Sequence, residues 1–272
     1  MFIVGERINA TRKRIGEAVL AGDANFIKQE AVKQVDAGAN MLDVNGGVAA
    51  KDELYLPWLV KVVQEAVDVP LCLDSPSGEA LRRALPLCKK PPMINSITAE
   101  DERYAEVLPL VKEYNIRVIA LCMSQSGTPK GVEDRLETAT RLVEGLADAG
   151  VPMERIHLDP GVFPTSVGAE QPRAYLEALG AVHARYPKVH LIGGISNVSF
   201  GLPIRKLLNA TFIAMAIGRG LDSAIMDPTD QQMMASIFAA EALLGVDEYC
   251  ANYLKAFRAG KLEAKAEPPK AS

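Results

Sequence analysis

Six short apolar runs punctuate the chain: FIVGERIN, MLDVNGG, PLCLDSPS, PMINSIT, RIHLDPGV and HLIGGISNVS. Each gives way to a polar side chain at the brink of a turn, and five of them place Asp43, Asp74, Asn95, Asp159 and Asn197 there. Runs this short, with no polar face, read as strands covered on both sides, and they alternate with longer amphipathic stretches. The pattern predicts strands near 2–7, 40–45, 70–74, 92–96, 117–123, 155–159, 189–195 and 221–227. It predicts helices over 23–38, 52–68, 77–88, 101–115, 132–150, 170–186, 203–219 and 229–244. The segment TFIAMAIGRG reads as helix or strand, and LDSAIMD just after it is the better strand. DAGAN (36–40) and DAGVP (148–152) put Gly after a helix in the manner of a C-cap, and Pro70 and Pro187 break the chain before the next strand.

Eight strand–helix repeats whose strands have no wet face predict a single-domain α/β fold, a closed (β/α)8 TIM barrel over 1–257. An open doubly wound sheet fits less well, because no G-x-G-x-x-G follows the first run. Residues 258–272, RAGKLEAKAEPPKAS, turn polar and are expected to form a disordered tail.

In a parallel barrel all strand C-termini share one rim, so polar groups far apart in sequence can converge on one ligand. The rim set holds acceptors and amides but no Lys, no His and no evident nucleophile. That inventory suits gripping a flat, neutral heterocycle rich in donors better than it suits covalent catalysis. Each residue has a plainer reading as well. Asp74 could cap the helix opened by Pro76 and Gly78, as could Ser75 or Ser77, and Asn197 could cap a helix starting at Val198. Four independent caps at equivalent ends of separate strands account for the pattern less well than one shared site does. Such a site discriminates, because a wrong ligand leaves buried polar groups unpaired at about 1–3 kcal/mol each. In GGISN, two glycines let backbone approach a ligand before Asn197, which is the residue expected to carry chemistry.

Composition narrows the function classes. The 272 residues carry a net charge of −4, with 49% hydrophobic and 24% charged positions, so no basic footprint for nucleic acid or an anionic membrane is present. No apolar stretch approaches a membrane span and the N-terminus lacks a signal pattern, which predicts a cytoplasmic protein. Cys72, Cys88, Cys122 and Cys250 form no C-x-x-C pair and read as reduced thiols. His157, His183 and His190 show no ligand spacing, so no intrinsic metal is expected.

The motifs GERINA (5–10), LDVN (42–45), LCLDS (71–75), MINSIT (93–98), LDPGV (158–162) and GGISNVSFG (193–201) resemble the pterin-binding methyltransferases. The chain resembles the methyltetrahydrofolate:corrinoid/iron–sulfur protein methyltransferases and their relatives in corrinoid-dependent demethylation, and the folate-binding domain of cobalamin-dependent methionine synthase. The likeness runs from Phe2 to about Phe257. It implies a TIM barrel, a homodimer, and 5-methyltetrahydrofolate bound in the barrel mouth as substrate, with cobalamin carried by a separate corrinoid protein. By the same resemblance Asp74, Asn95 and Asp159 hold the pterin. Asn197 hydrogen-bonds the nitrogen that bears the methyl, Arg205 contacts the folate, and Asn9 and Asp43 line the site, with 9–12 (NATR) as a loop over the ring. Phe200 follows the methionine synthase pattern, and a second folate-contacting Arg of that enzyme is missing from a shorter loop.

The implied reaction moves a methyl between nitrogen five of tetrahydrofolate and cobalt. The enzyme need supply neither nucleophile nor metal, but must favour the protonated nitrogen at the transition state. Dihydropteroate synthase is a rival on the same barrel; it requires clustered cations for pyrophosphate, whereas the last strand here reads DSAIMDP. A Schiff-base aldolase would want a Lys where Asp159 stands. A non-catalytic folate-binding subunit is the remaining alternative.

Overall fold

The computed structural model describes residues 1–47 and 51–262. Eight parallel strands, β1 Phe2–Asn9, β2 Met41–Asn45, β3 Leu71–Asp74, β4 Met93–Thr98, β5 Arg117–Leu121, β6 Ile156–Asp159, β7 His190–Leu191 and β8 Ser223–Met226, form one sheet. Its order is β7-β6-β5-β4-β3-β2-β1-β8. The described helices are α1 Lys13–Ala21, α2 Ala24–Ala37, α3 Asp52–Gln64, α4 Gly78–Ala84, α5 Asp101–Tyr114, α6 Val132–Asp148, α7 Gln171–Arg185, α8 Arg205–Ile217, α9 Gln231–Leu243 and α10 Ala251–Arg258. The predicted single-domain barrel is therefore the fold. None of these helices is long and apolar enough to cross a membrane.

Closure between the first and last edges is thin. β7 is a two-residue strand, but the chain beyond it continues beside β8: Ile225 donates its N–H to the Gly193 carbonyl at 3.0 Å, and Gly194 bridges to Ile225. The strand expected over 189–195 is cut short because the glycine pair leads straight into a 3-10 turn, Ile195–Ser199. The helix expected over 203–219 is α8, and LDSAIMD supplies β8 as expected.

Two helices lie outside the expected set. α1 buries Ile15, Ala18 and Val19 at helical spacing and stops at Gly22, whose φ of 67° suits glycine. The periodicity is present in the sequence, but the helix is only nine residues long and follows β1 as an extra element of the first strand–helix unit. α10 follows α9 and ends at Arg258, one residue past the expected edge of the barrel domain. The expected disordered tail falls mostly on 263–272, outside the described residues.

Strand periodicity builds the interior in tiers. Leu42, Val44, Leu71, Leu73, Ile94, Val118, Leu158 and Ala224 point outward and pack under the helices. Their alternates Val4, Met41, Cys72, Met93, Ile119 and Ile192 form a separate buried cluster inside the barrel. One side-chain period further along, β1, β2, β3, β4 and β6 present Glu6, Asp43, Asp74, Asn95 and Asp159. The apolar middle tier thus serves as a floor, and the polar tier stands on it at the C-terminal rim.

Candidate active site

All seven residues expected at the site, Asn9, Asp43, Asp74, Asn95, Asp159, Asn197 and Arg205, line one cavity of about 760 Å³ at that rim. The register explains the inner wall. Asn45, Asp74 and Asn95 stand level on β2, β3 and β4. Asn45 donates from Nδ2 to Asp74 Oδ2 at 2.8 Å, and Asn95 reaches from Nδ2 to Asp43 Oδ1 at 3.2 Å across the intervening strand. The Asn45 side-chain oxygen Oδ1 is buried with no hydrogen-bond partner among the described residues.

The capping alternatives are resolved by geometry. Ser77, not Asp74, caps α4, accepting the Ala80 N–H at 3.2 Å. Asn197 sits in the middle of the 3-10 turn, and α8 begins only at Arg205, so Asn197 is no helix cap. Its backbone N–H is satisfied by the Gly194 carbonyl at 3.1 Å. Its side-chain amide is exposed at the mouth and pairs with none of the described residues, which leaves it available to a ligand.

Burial dominates the electrostatics. Asp159 accepts the Gly161 N–H at 2.8 Å, yet loss of hydration pushes its pKa to about 7. Asp74 is pushed up to about 6, first by burial, with the Asn45 hydrogen bond pulling the other way. Asp43, 3% exposed, goes well above the usual carboxylate range through burial and then the neighbouring Asp74. Carboxylates held this far above their ordinary range are the groups that N–H donors on a ligand would favour in the ionised form.

The mouth is held by a second network. Asn9 Oδ1 accepts from the Thr11 N–H and hydroxyl at 3.0 and 2.7 Å, which fixes the loop over the cavity. Arg205 donates from Nε to Ser199 Oγ at 3.0 Å and to the Ser196 carbonyl at 2.6 Å, and its guanidinium lies 5.8 Å from the Phe200 ring centroid. Asp227 lines the same cavity; burial would raise its pKa, but hydrogen bonds from Thr229 and Arg7 hold it below the usual range. Sequence reading passed over Glu6, Ser196 and Asp227 as site residues. Glu6 and Ser196 lay within the quoted motifs GERINA and GGISNVSFG, and the signal that could have found Glu6 is alternation from the inward-facing Val4 one side-chain period earlier.

Residues 5–227 match the family model described as pterin binding enzyme. The chain belongs to the pterin-binding enzyme family. Among its relatives, the methylcorrinoid:tetrahydrofolate methyltransferase of Eubacterium limosum is 39% identical over 265 residues, covering 96% of this chain and 98% of that protein. The methionine synthase of Mycobacterium tuberculosis is 30% identical over 240 residues; the match takes in 83% of this chain but 20% of that longer protein. In shape the barrel is similar to dihydropteroate synthases. The enzyme from Thermus thermophilus superposes with a TM-score of 0.68 at 19% identity, over 89% of this chain and 94% of that one. The Yersinia pestis enzyme gives 0.70 at 17%, over 90% and 94%. At such identity the likeness speaks to fold alone.

Proposed function

We infer that this pterin-binding barrel is a methyltransferase that moves a methyl group between nitrogen five of tetrahydrofolate and the cobalt of a corrinoid protein. The observation that carries this reading is the division of the cavity into two parts, in a chain so similar along its length to a methylcorrinoid:tetrahydrofolate methyltransferase. The inner wall offers Asp43, Asp74, Asn95 and Asp159 to the donor-rich edge of a pterin. The mouth offers an unengaged amide, Asn197, where the ring nitrogen and its methyl would face incoming cobalt.

The chemistry follows from what the residues can do. A tertiary amine nitrogen leaves poorly unless it becomes positive, so transfer toward cobalt(I) needs that nitrogen to gain a proton as the carbon–nitrogen bond weakens. Asn197 does not titrate. Its carbonyl can accept a hydrogen bond from the protonated nitrogen, an interaction that grows only as charge develops and therefore lowers the barrier rather than the ground state. The same contacts serve both directions, and the name of the Eubacterium relative favours transfer from corrinoid to folate. Arg205 is placed to meet the acidic end of the folate. A homodimer is part of the reading, supported by the apolar groove between α7 and α8 lined by Leu176, Leu207, Leu208, Phe212 and Met215. The reading places the enzyme in the cytoplasm, where its folate substrate and corrinoid partner would be met.

The test follows the cobalt spectrum after mixing with methyltetrahydrofolate and reduced free cobalamin, and then with methylcobalamin and tetrahydrofolate. Methyl transfer in either direction supports the reading, whereas tight folate binding without transfer identifies a folate-binding subunit. Asn197→Ala should lower the bound-state transfer rate by about 100-fold or more while changing folate affinity by less than about tenfold. Collapsed binding with a normal rate would make Asn197 a pterin contact only.

A further inference from the structure

Methyl transfer in either direction changes the proton count at one nitrogen, and neither Asn197 nor the methyl acceptor can supply or remove that proton. Asp43, Asp74 and Asp159 are assigned above to the ring donors at the inner wall. Glu6 stands apart from them. The register between β1 and β2 passes from Gly5 opposite Leu42 to Ile8 opposite Val44, so Glu6 and Arg7 together face Asp43. Glu6 follows Val4 inward by ordinary strand alternation and lines the cavity, while the extra residue sends Arg7 to Glu30 and Asp227.

The Glu6 carboxylate accepts the Ser196 hydroxyl at 3.1 Å on both oxygens and the Arg12 guanidinium at 2.9 Å. Ser196 is the chain neighbour of Asn197. The charged and titratable groups facing Glu6 are Arg12 from the turn after β1, Asp43 from β2, Arg205 from α8 and Asp227 from the segment after β8. Burial, which leads, and Asp227 outweigh Arg12, Ser196 and Arg205, so the carboxyl is held above its ordinary range and keeps a proton more readily than a surface glutamate.

The geometry points to Glu6, oriented by Ser196, as the group that exchanges a proton with the methyl-bearing nitrogen; this rests on the methyltransferase reading above. Toward cobalt, the Glu6 proton passes to the nitrogen and the carbon–nitrogen bond breaks with its electron pair left on nitrogen. Cobalt(I) supplies the pair for the new cobalt–carbon bond and becomes formally cobalt(III). The Glu6 carboxylate is then reprotonated from solvent. In the other direction the nitrogen lone pair takes the methyl, the cobalt–carbon pair returns to cobalt, and the ammonium proton passes to the Glu6 carboxylate and on to water.

Single-turnover transfer from methyltetrahydrofolate to free cob(I)alamin, followed from about pH 5.5 to about 8.5, tests the assignment in wild type, Glu6→Gln, Glu6→Asp and Ser196→Ala. Methyltetrahydrofolate affinity is measured alongside. Glu6→Gln should lose the falling limb of the rate above the Glu6 pKa and slow by about 100-fold at low pH, with affinity within about threefold. Glu6→Asp should keep a displaced limb, and Ser196→Ala should move it. An unchanged pH profile and rate in Glu6→Gln overturns the assignment, and so does a collapse of affinity with a normal bound-state rate. A wild-type protein inert in both directions overturns the methyltransferase reading itself, a result distinct from either.

Discussion

Replacing Asp159 by Asn separates what the cavity needs for binding from what the fold prefers. In the free protein, burial lifts this carboxyl from 3.8 to about 7, against the pull of the Gly161 and Gly194 amides and of Arg135. The unfolded chain titrates the same group at its ordinary value. A group raised in the folded state supports folding fully below its unfolded pKa and progressively less as pH climbs through the folded one. Between about pH 4 and about pH 8 the wild type should therefore forfeit about 4 kcal/mol at this one side chain, about three powers of ten at about 1.4 kcal/mol each. Asparagine keeps the shape, carries no charge, and retains an oxygen for the Gly161 N–H that now reaches Oδ1 at 2.8 Å. In urea denaturation without ligand, Asp159→Asn should gain on the wild type by about 2–4 kcal/mol as pH rises from about 5 to about 8. The same variant should bind methyltetrahydrofolate at least about 100-fold more weakly, because its amide presents donors where the ring needs a second acceptor. A stability difference that stays flat with pH would refute the reasoning, since it would mean the free carboxylate is already hydrated or paired.

Affinity should carry the same signature. Raising the pH from about 6 to about 8 ionises Asp159 and Asp74 and should tighten methyltetrahydrofolate binding by about 10–20-fold in calorimetric titration, with proton release falling as pH rises; a pH-independent affinity would exclude these two carboxylates as acceptors. Arg135, fully buried, donates to the Gly131 and Gly161 carbonyls at 3.0 and 3.2 Å and to Gln171 at 2.7 Å. Arg135→Leu should cost about 2–4 kcal/mol in urea denaturation by orphaning those acceptors, and should raise the Asp159 pKa further by removing its nearest cation.

The barrel was legible because its strands are covered on both faces, so apolar runs announce them and the polar residue that ends each run lands on the rim. Asp74, Asn95 and Asp159 follow that rule, two residues beyond Cys72, Met93 and His157, which point inward on the same strands. Where the rule weakens, so does the reading. β7 breaks off early because Gly193 and Gly194 carry backbone pairing to β8 without any side chain to signal it. α1 was missed although Ile15, Ala18 and Val19 stand at helical spacing, because α2 already supplied the one helix that each strand–helix unit requires. Glu6 was passed over although alternation from Val4 points it inward, because Arg7 follows at once and the bulge resets the alternation before Ile8. The capping role that Asn197 might have filled was settled only by three-dimensional placement, since a 3-10 turn and a helix start share the same local sequence preferences.

The charge layout of the cavity also orients its guest. Six carboxylates line it (Glu6, Asp43, Asp74, Asp159, Asp227 and Asp230) against three cations, Arg12, Arg205 and Lys206. Arg12 pairs with Glu6 and Arg205 with Ser199 and Ser196; all three cations are exposed at the mouth, whereas Asp43 and Asp159 are buried in the wall. A pyrophosphate ester pushed toward that wall would bring like charge against buried carboxylates, a placement that costs several kcal/mol where water cannot screen it. A neutral ring with amino and N–H donors reverses the sign of the interaction. On the proposed reading its acidic appendage would come toward Arg205 and Lys206 at the first turn of α8, where the helix amides add to the positive field. The barrel shared with dihydropteroate synthases is thus paired here with an electrostatic gradient, acid inside and base outside. That gradient fits the proposed entry of a folate ring first, with its reactive nitrogen toward Asn197 at the mouth.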